Sequence, residues 1–222
     1  MKEVIVSVLA VVFTAVDYII IKRKELLLDD IKINFKGIFP SNAKEWLLAV
    51  IIPVSFAVCG FMLIRYYKQD LVLTAKRLCI IAVLWPAAVI DYKEYRIPNK
   101  LILIGLAARV GILAVEFAVN REELITTLIS EGIALPIISI ICLACALVSK
   151  GSIGMGDIKL LMVMSLFLGI EGICYSMFYS AIAAFITAVS LLITKKKGRK
   201  DKMPFAPSIL VGTLLCVILS GV

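Results

Sequence analysis

Apolar residues fill most of this chain in long runs, and short polar stretches separate the runs. A helix needs about 20 apolar residues, with roughly 17–25 tolerated, to cross the hydrocarbon core of a bilayer. Residues 4–21 form the first such run and residues 46–64 the second, with Pro53 inside it. Residues 78–90 are too short alone, so the third helix is expected to begin near Thr74. Lys76 and Arg77 would then snorkel toward the interface, and Pro86 would kink the helix. Residues 101–119 and 132–148 make the fourth and fifth runs. The sixth opens at Gly154-Met155-Gly156-Asp157 and ends near Ile170, where Glu171-Gly172 is expected to turn the chain into the seventh, residues 173–194. Residues 205–222 are the eighth. The pattern therefore predicts an all-α, polytopic transmembrane bundle of about eight spans, or seven if the interrupted third run does not cross.

Composition agrees with this reading. The 222 residues are 62% hydrophobic and 18% charged, with a mean hydropathy of +1.04, values that suit a helical membrane protein and not a soluble domain. The start Met1-Lys2-Glu3 is not strongly basic and no small-residue cleavage site follows the first run, so that run reads as a permanent span. No polar stretch is long enough for a separate globular domain.

The net charge of +8 fits positive cytoplasmic loops and anionic lipid, and no nucleic-acid module accompanies it. Basic residues also orient the chain. Seventeen Lys and Arg fall in the connections 22–45, 91–100, 149–159 and 195–204, against six in the connections on the other side. The first set is expected to be cytoplasmic, with the run Lys195 to Lys202 acting as a topology determinant and lipid contact. The six cysteines all lie in apolar segments, which argues against a disulfide framework. Cys142 and Cys145 form a C-x-x-C, but with no second pair and no histidine they read as small residues between helices.

Against this background a few polar residues stand out. Asp91 closes the third span and Asp157 opens the sixth; two crossings lie between them, so both face the same side, the cytoplasm by the charge count. Two carboxyl groups at one depth can perform aspartyl proteolysis. One takes a proton from water, while the other, still protonated, polarises the scissile carbonyl and later protonates the leaving amine. Asp157 sits at a helix N-terminus and Asp91 near a helix C-terminus, so Asp157 is expected to carry more of the pair's negative charge. The competing structural readings are an N-cap for Asp157 and an interfacial pairing of Asp91 with Lys93 or Arg96.

The flanking residues carry a family resemblance. Asp91-Tyr92-Lys93-Glu94-Tyr95-Arg96-Ile97-Pro98-Asn99 resembles the D-x5-I-P-N/D signature of type IV prepilin peptidases, and Gly154-Met155-Gly156-Asp157-Ile158-Lys159-Leu160 resembles their G-x-G-D-x-K-L. Lys202-Met203-Pro204-Phe205-Ala206-Pro207-Ser208 is similar to their later P-F-G-P-F stretch, with Ala206 and Ser208 departing from it. The resemblance covers roughly Trp46 to the C-terminus. It implies a cell-membrane aspartyl endopeptidase that removes the leader of prepilin-like precursors at the cytoplasmic face, with Asp91 and Asp157 as the catalytic pair. Gly154, Gly156, Lys159, Pro98 and Asn99 would shape the site or bind substrate, the two glycines by letting an extended peptide approach. Residues 1–45 would be a first span with a short loop, and residues 46–222 the peptidase domain. Full-length bacterial members carry paired C-x-x-C zinc ligands in that first loop and also N-methylate the cleaved pilin. Residues 22–45 hold no cysteine, so neither a zinc nor another cofactor is expected, nor the methyltransferase activity. The expected partners are prepilin-like substrates and membrane lipids.

Two other classes of function compete. A presenilin-like or signal-peptide-peptidase-like protease shares the G-x-G-D, but would carry a tyrosine before the first aspartate and a Pro-Ala-Leu sequence, where this chain has Ile90 and Pro204-Phe205-Ala206-Pro207. A transporter or assembly scaffold would use Asp17, Arg109 and Asp157 as a polar path. Asp17 is expected instead to pair with Lys22, and Arg109 to form an ion pair inside the bundle, with Glu116 two turns later on its face. Lys159 either acts on Asp157 or substrate, or snorkels. A Ser152 dyad with Lys150 or Lys159 lacks anything to make an oxyanion hole.

Overall fold

A computed structural model describes residues 2–22, 43–119, 121–148, 154–194 and 203–221. Among them are seven helices and no strand: α1 Lys2–Lys22, α2 Ala43–Phe61, α3 Leu71–Glu94, α4 Asn99–Val119, α5 Arg121–Val148, α6 Met155–Ile193 and α7 Ala206–Ser220. A short π-helical turn, Met62–Tyr66, extends α2. Six of the helices are long and apolar enough to cross a membrane. Large apolar side chains such as Val11, Leu103, Val110, Ile140, Leu147 and Phe185 point outward, as suits a hydrocarbon solvent. Residues 23–42, Lys150, Ser152 and the basic run Lys195 to Lys202 lie outside the described residues.

The helix α3 is the axis of the bundle. It is enclosed along most of its length, whereas α1 buries a single stripe, Val6, Ala10, Asp17 and Ile21. At Gly105 of α4, close approach is required: a Cβ there would lie 3.2 Å from Val163 and 3.3 Å from Val83. Small residues at such crossings let membrane helices gain van der Waals contact.

The 39-residue helix α6 is two helices joined at Gly169, whose backbone is non-helical at φ 65°, ψ −172°. Before the break α6 runs beside α4. After it, Gly172, Ser176 and Ser180 meet Cys216, Thr213 and Ile209 of α7 in that order, so these two segments run antiparallel. The chain has thus reversed, and counting the two halves separately gives the eight segments expected. The reversal falls two residues before the Glu171-Gly172 turn expected from sequence, because the left-handed φ belongs to Gly169.

Four further expectations are corrected. The helix α3 starts at Leu71, ahead of Thr74, and α5 at Arg121, ahead of residue 132. Lys76 and Arg77 do not snorkel; they are 2% and 8% exposed, and Lys76 turns inward because Glu116 and Glu131 face it. Asp17 does not pair with Lys22, whose Nζ lies 2.9 Å from Glu45. Asp17 lies on the inward stripe of α1, fully buried, with no hydrogen-bond partner on either oxygen. Arg109 does form the interhelical ion pair expected of it, with Glu131 of α5 at 2.6 Å, and lies 2.9 Å from Glu116 on its own helix.

Candidate active site

Three segments distant in sequence meet at one end of the bundle. The first begins with Asp91, buried in the last turn of α3. Tyr95 closes that helix in the left-handed conformation, φ 55°, with its N–H on the Asp91 carbonyl at 2.9 Å. The chain then runs through Arg96-Ile97 into Pro98, whose carbonyl accepts the N–H of Leu101 at 3.1 Å and so opens α4. Proline disfavours helix in the residue before it, which separates the stop from the new start. The Asp91-to-Asn99 motif is a compact helix–turn–helix corner with the acid on its inner side.

The second segment is the start of α6. Gly154 is its N-cap and supplies no side-chain bond. Asp157, three residues on, accepts the Gly154 N–H with its own carboxyl group, which is the reciprocal half of a capping box. A Cβ on Gly154 would sit 3.0 Å from Asp157 Oδ2. Gly156 has a different neighbour: a Cβ there would lie 3.1 Å from the Ile97 Cβ and 3.4 Å from its backbone nitrogen. The missing side chain is what lets the start of α6 rest on the corner after Asp91. Lys159 Nζ donates to Asn99 Oδ1 at 3.0 Å, a second tie between the same two motifs.

The third segment is the start of α7. Its cap residue Phe205 makes no side-chain bond, and the N–H of Ala206 donates to Asp91 Oδ2 at 2.9 Å, with that of Phe205 adding a second backbone bond. Asp91 therefore caps a helix that is not its own. This removes the basis of the charge asymmetry expected from sequence. That argument counted only the C-terminal end of α3 at Asp91, whereas the N-terminus of α7 also points there and complements a carboxylate. Both acids thus lie at helix N-termini.

All seven residues singled out from sequence lie in this corner: Asp91, Pro98, Asn99, Gly154, Gly156, Asp157 and Lys159. Ile97 and the backbone of Ala206 were not singled out, although both lie inside the quoted motifs. A backbone N–H leaves no trace in a side-chain pattern. Among the described residues no three His, Cys, Asp or Glu side chains are grouped to hold a metal ion.

The sequence profile of the type IV leader peptidase family matches residues 78–189, half of the chain. The chain belongs to the type IV leader peptidase family. The match takes in Asp91 through Asn99 and Gly154 through Lys159, and ends before the Phe205-Ala206 segment. The prepilin leader peptidase/N-methyltransferase of Bacillus subtilis (strain 168) is 29% identical over 73 residues, which are 33% of this chain. The matched stretch is only 29% of that relative's length. No solved structure matches the chain. In this leader peptidase family member, the two carboxyl groups and the corner that joins them are the chemically distinctive part of the fold.

Proposed function

We propose that this chain is a membrane aspartyl endopeptidase that cleaves the leader of type IV prepilin-like precursors at the cytoplasmic face of the cell membrane. The observation that carries the reading is the meeting of Asp91, Asp157 and their three motifs in one corner, within a chain of the leader peptidase family. A bundle needs no glycine-lined corner between two acids to stand in a membrane; a hydrolase does.

The chemistry uses a pair of carboxyl groups sharing one proton, since two like charges held near each other cannot both ionise cheaply. The ionised member takes a proton from a water molecule, whose oxygen attacks the scissile carbonyl carbon. The protonated member donates to the carbonyl oxygen. Collapse of the tetrahedral intermediate breaks the C–N bond, and the amide nitrogen leaves with a proton from the pair. The peptide must enter extended, because a helix hides the scissile amide in its own hydrogen bonds.

The test is the purified protein in detergent with a candidate prepilin carrying a basic leader before an apolar helix, read as a gel shift. Wild type should release the leader, and Asp91→Asn and Asp157→Asn should each leave the precursor intact while folding and inserting normally. Cleavage that survives both substitutions would remove the aspartyl mechanism.

A further inference from the structure

Two observations meet at the Gly169 break, far from the aspartates. The first is a set of four buried charges: Lys76, Arg109, Glu116 and Glu131 are all under 10% exposed. Lys76 contacts Glu131, and lies 3.3 Å from Glu116; Arg109 Nη2 donates to Glu131 at 2.6 Å and Nη1 lies 2.9 Å from Glu116. Two cations and two anions make a neutral group. The second observation is what the break does to the backbone. At an unbroken helix the Ile170 N–H would bond the Leu166 carbonyl. Here Ile170 N donates to Ser130 Oγ at 3.1 Å, and Leu166 O accepts from Arg109 Nε at 2.7 Å. Both freed groups are met by side chains, one of them charged.

We propose that Arg109 is a positioning residue: by gripping the Leu166 carbonyl it fixes the axial placement of residues 155–168, and so sets Asp157 opposite Asp91. Leu166 lies nine residues beyond Asp157, about 14 Å along a helix. A helical segment is stiff over that length, so pinning its lower end fixes its upper end. The charge set gives the pin a rigid base, because the Arg109 guanidinium is held by carboxylates of two helices, α4 and α5, while its Nε reaches a third, α6. Lysine cannot do this: a single ammonium lacks the planar fork that serves two carboxylates and a carbonyl together. The inference rests on the peptidase reading for its catalytic consequence but not for its structural one.

The test reads the two separately. In a chain whose native cysteines are replaced, Ile97→Cys and Gly156→Cys place two thiols across the corner, at a Cβ separation close to disulfide range. Oxidative cross-linking in membranes should be fast in this parent, slow about tenfold on adding Arg109→Lys, and slow less on adding Ser130→Ala. In the cysteine-containing protein, Arg109→Lys should lower kcat on a prepilin by about tenfold or more, with KM within about twofold, as misplacement of a reacting group does. Gly111→Ala, on the same helix but with nothing within 4 Å of the added Cβ, should move neither readout beyond about twofold. A parent that does not cross-link, an Arg109→Lys chain that cross-links at the parental rate, or a Gly111→Ala chain as impaired as Arg109→Lys would overturn the proposal. Should Arg109→Lys fail to insert, Ser130→Ala decides through the same cross-link. A wild type that never cleaves prepilin, with the cross-link still sensitive to Arg109→Lys, sinks the peptidase reading and leaves the positioning standing.

Discussion

Replacing Gly156 by alanine tests how finely the two acid-bearing motifs are fitted. The added Cβ would stand 3.1 Å from the Ile97 Cβ, 3.4 Å from the Ile97 backbone nitrogen and 3.6 Å from its Cγ1. Two of these three atoms cannot swing aside, since one is backbone and one is fixed to it. The corner and the helix must therefore separate by a few tenths of an ångström. Overpacking of this kind costs about 1–3 kcal/mol, while alanine recovers up to about 1 kcal/mol of helix propensity over glycine. The net change in stability is about 0–2 kcal/mol, too small to unfold the bundle.

Catalysis is less forgiving. A displacement near 1 Å costs about a hundredfold in rate, so a few tenths should cost roughly tenfold, equivalent to about 1.4 kcal/mol of barrier. Steady-state cleavage of a prepilin should show kcat reduced by that factor, with thermal unfolding in detergent near wild type. The matched control is Gly111→Ala on α4, where a Cβ would meet nothing within 4 Å; it should be silent in both assays. Equal activity of the Gly156 and Gly111 variants would refute the claim that close approach at Ile97 sets the acid pair.

Other outcomes follow from the same geometry. Ala206→Pro deletes the N–H that reaches Asp91 Oδ2 at 2.9 Å, at a buried position that follows Phe205 in the αR conformation, which a proline disfavours. It should cut kcat by about tenfold and, by overpacking, lower stability by about 1–3 kcal/mol, checked by kinetics beside thermal unfolding. Lys76→Met leaves Glu131 and Glu116 short of a cation in the interior; breaking such buried pairs costs about 3–5 kcal/mol, visible as a lower midpoint in denaturant. Activity of the wild type should fall at both ends of its pH profile, because the pair needs one proton and not two or none.

Much of this was legible in the sequence because a membrane simplifies it. Hydrophobic run length alone located the helices, and the motif order located the acids. The polar residues that sequence misplaced share one cause, the interior of the bundle. Lys76 and Arg77 look like interfacial residues until Glu116 and Glu131, supplied by other helices, offer Lys76 ion pairs inside. Asp17 and Lys22 are close enough in sequence to pair, yet Asp17 follows the buried stripe of α1 and Lys22 finds Glu45. The helix-end argument at Asp91 failed in the same way, since the N-terminus of α7 comes from 115 residues away.

The glycines of the Gly154-x-Gly156-Asp157 motif then take on a more specific sense. Read alone, they suggested room for a substrate backbone. In the fold, the empty side of Gly156 is filled by Ile97 and that of Gly154 by the Asp157 carboxyl group itself. A side chain at either position would push on an acid or on the corner that carries its partner. The same economy holds for the polar contacts: Asn99 with Lys159, Ala206 with Asp91 and Gly154 with Asp157 each tie two of the elements that frame the acids, or an acid to its own helix end. On the proposed mechanism, loss of any one tie should alter the separation of the two carboxyl groups, on which a shared proton depends.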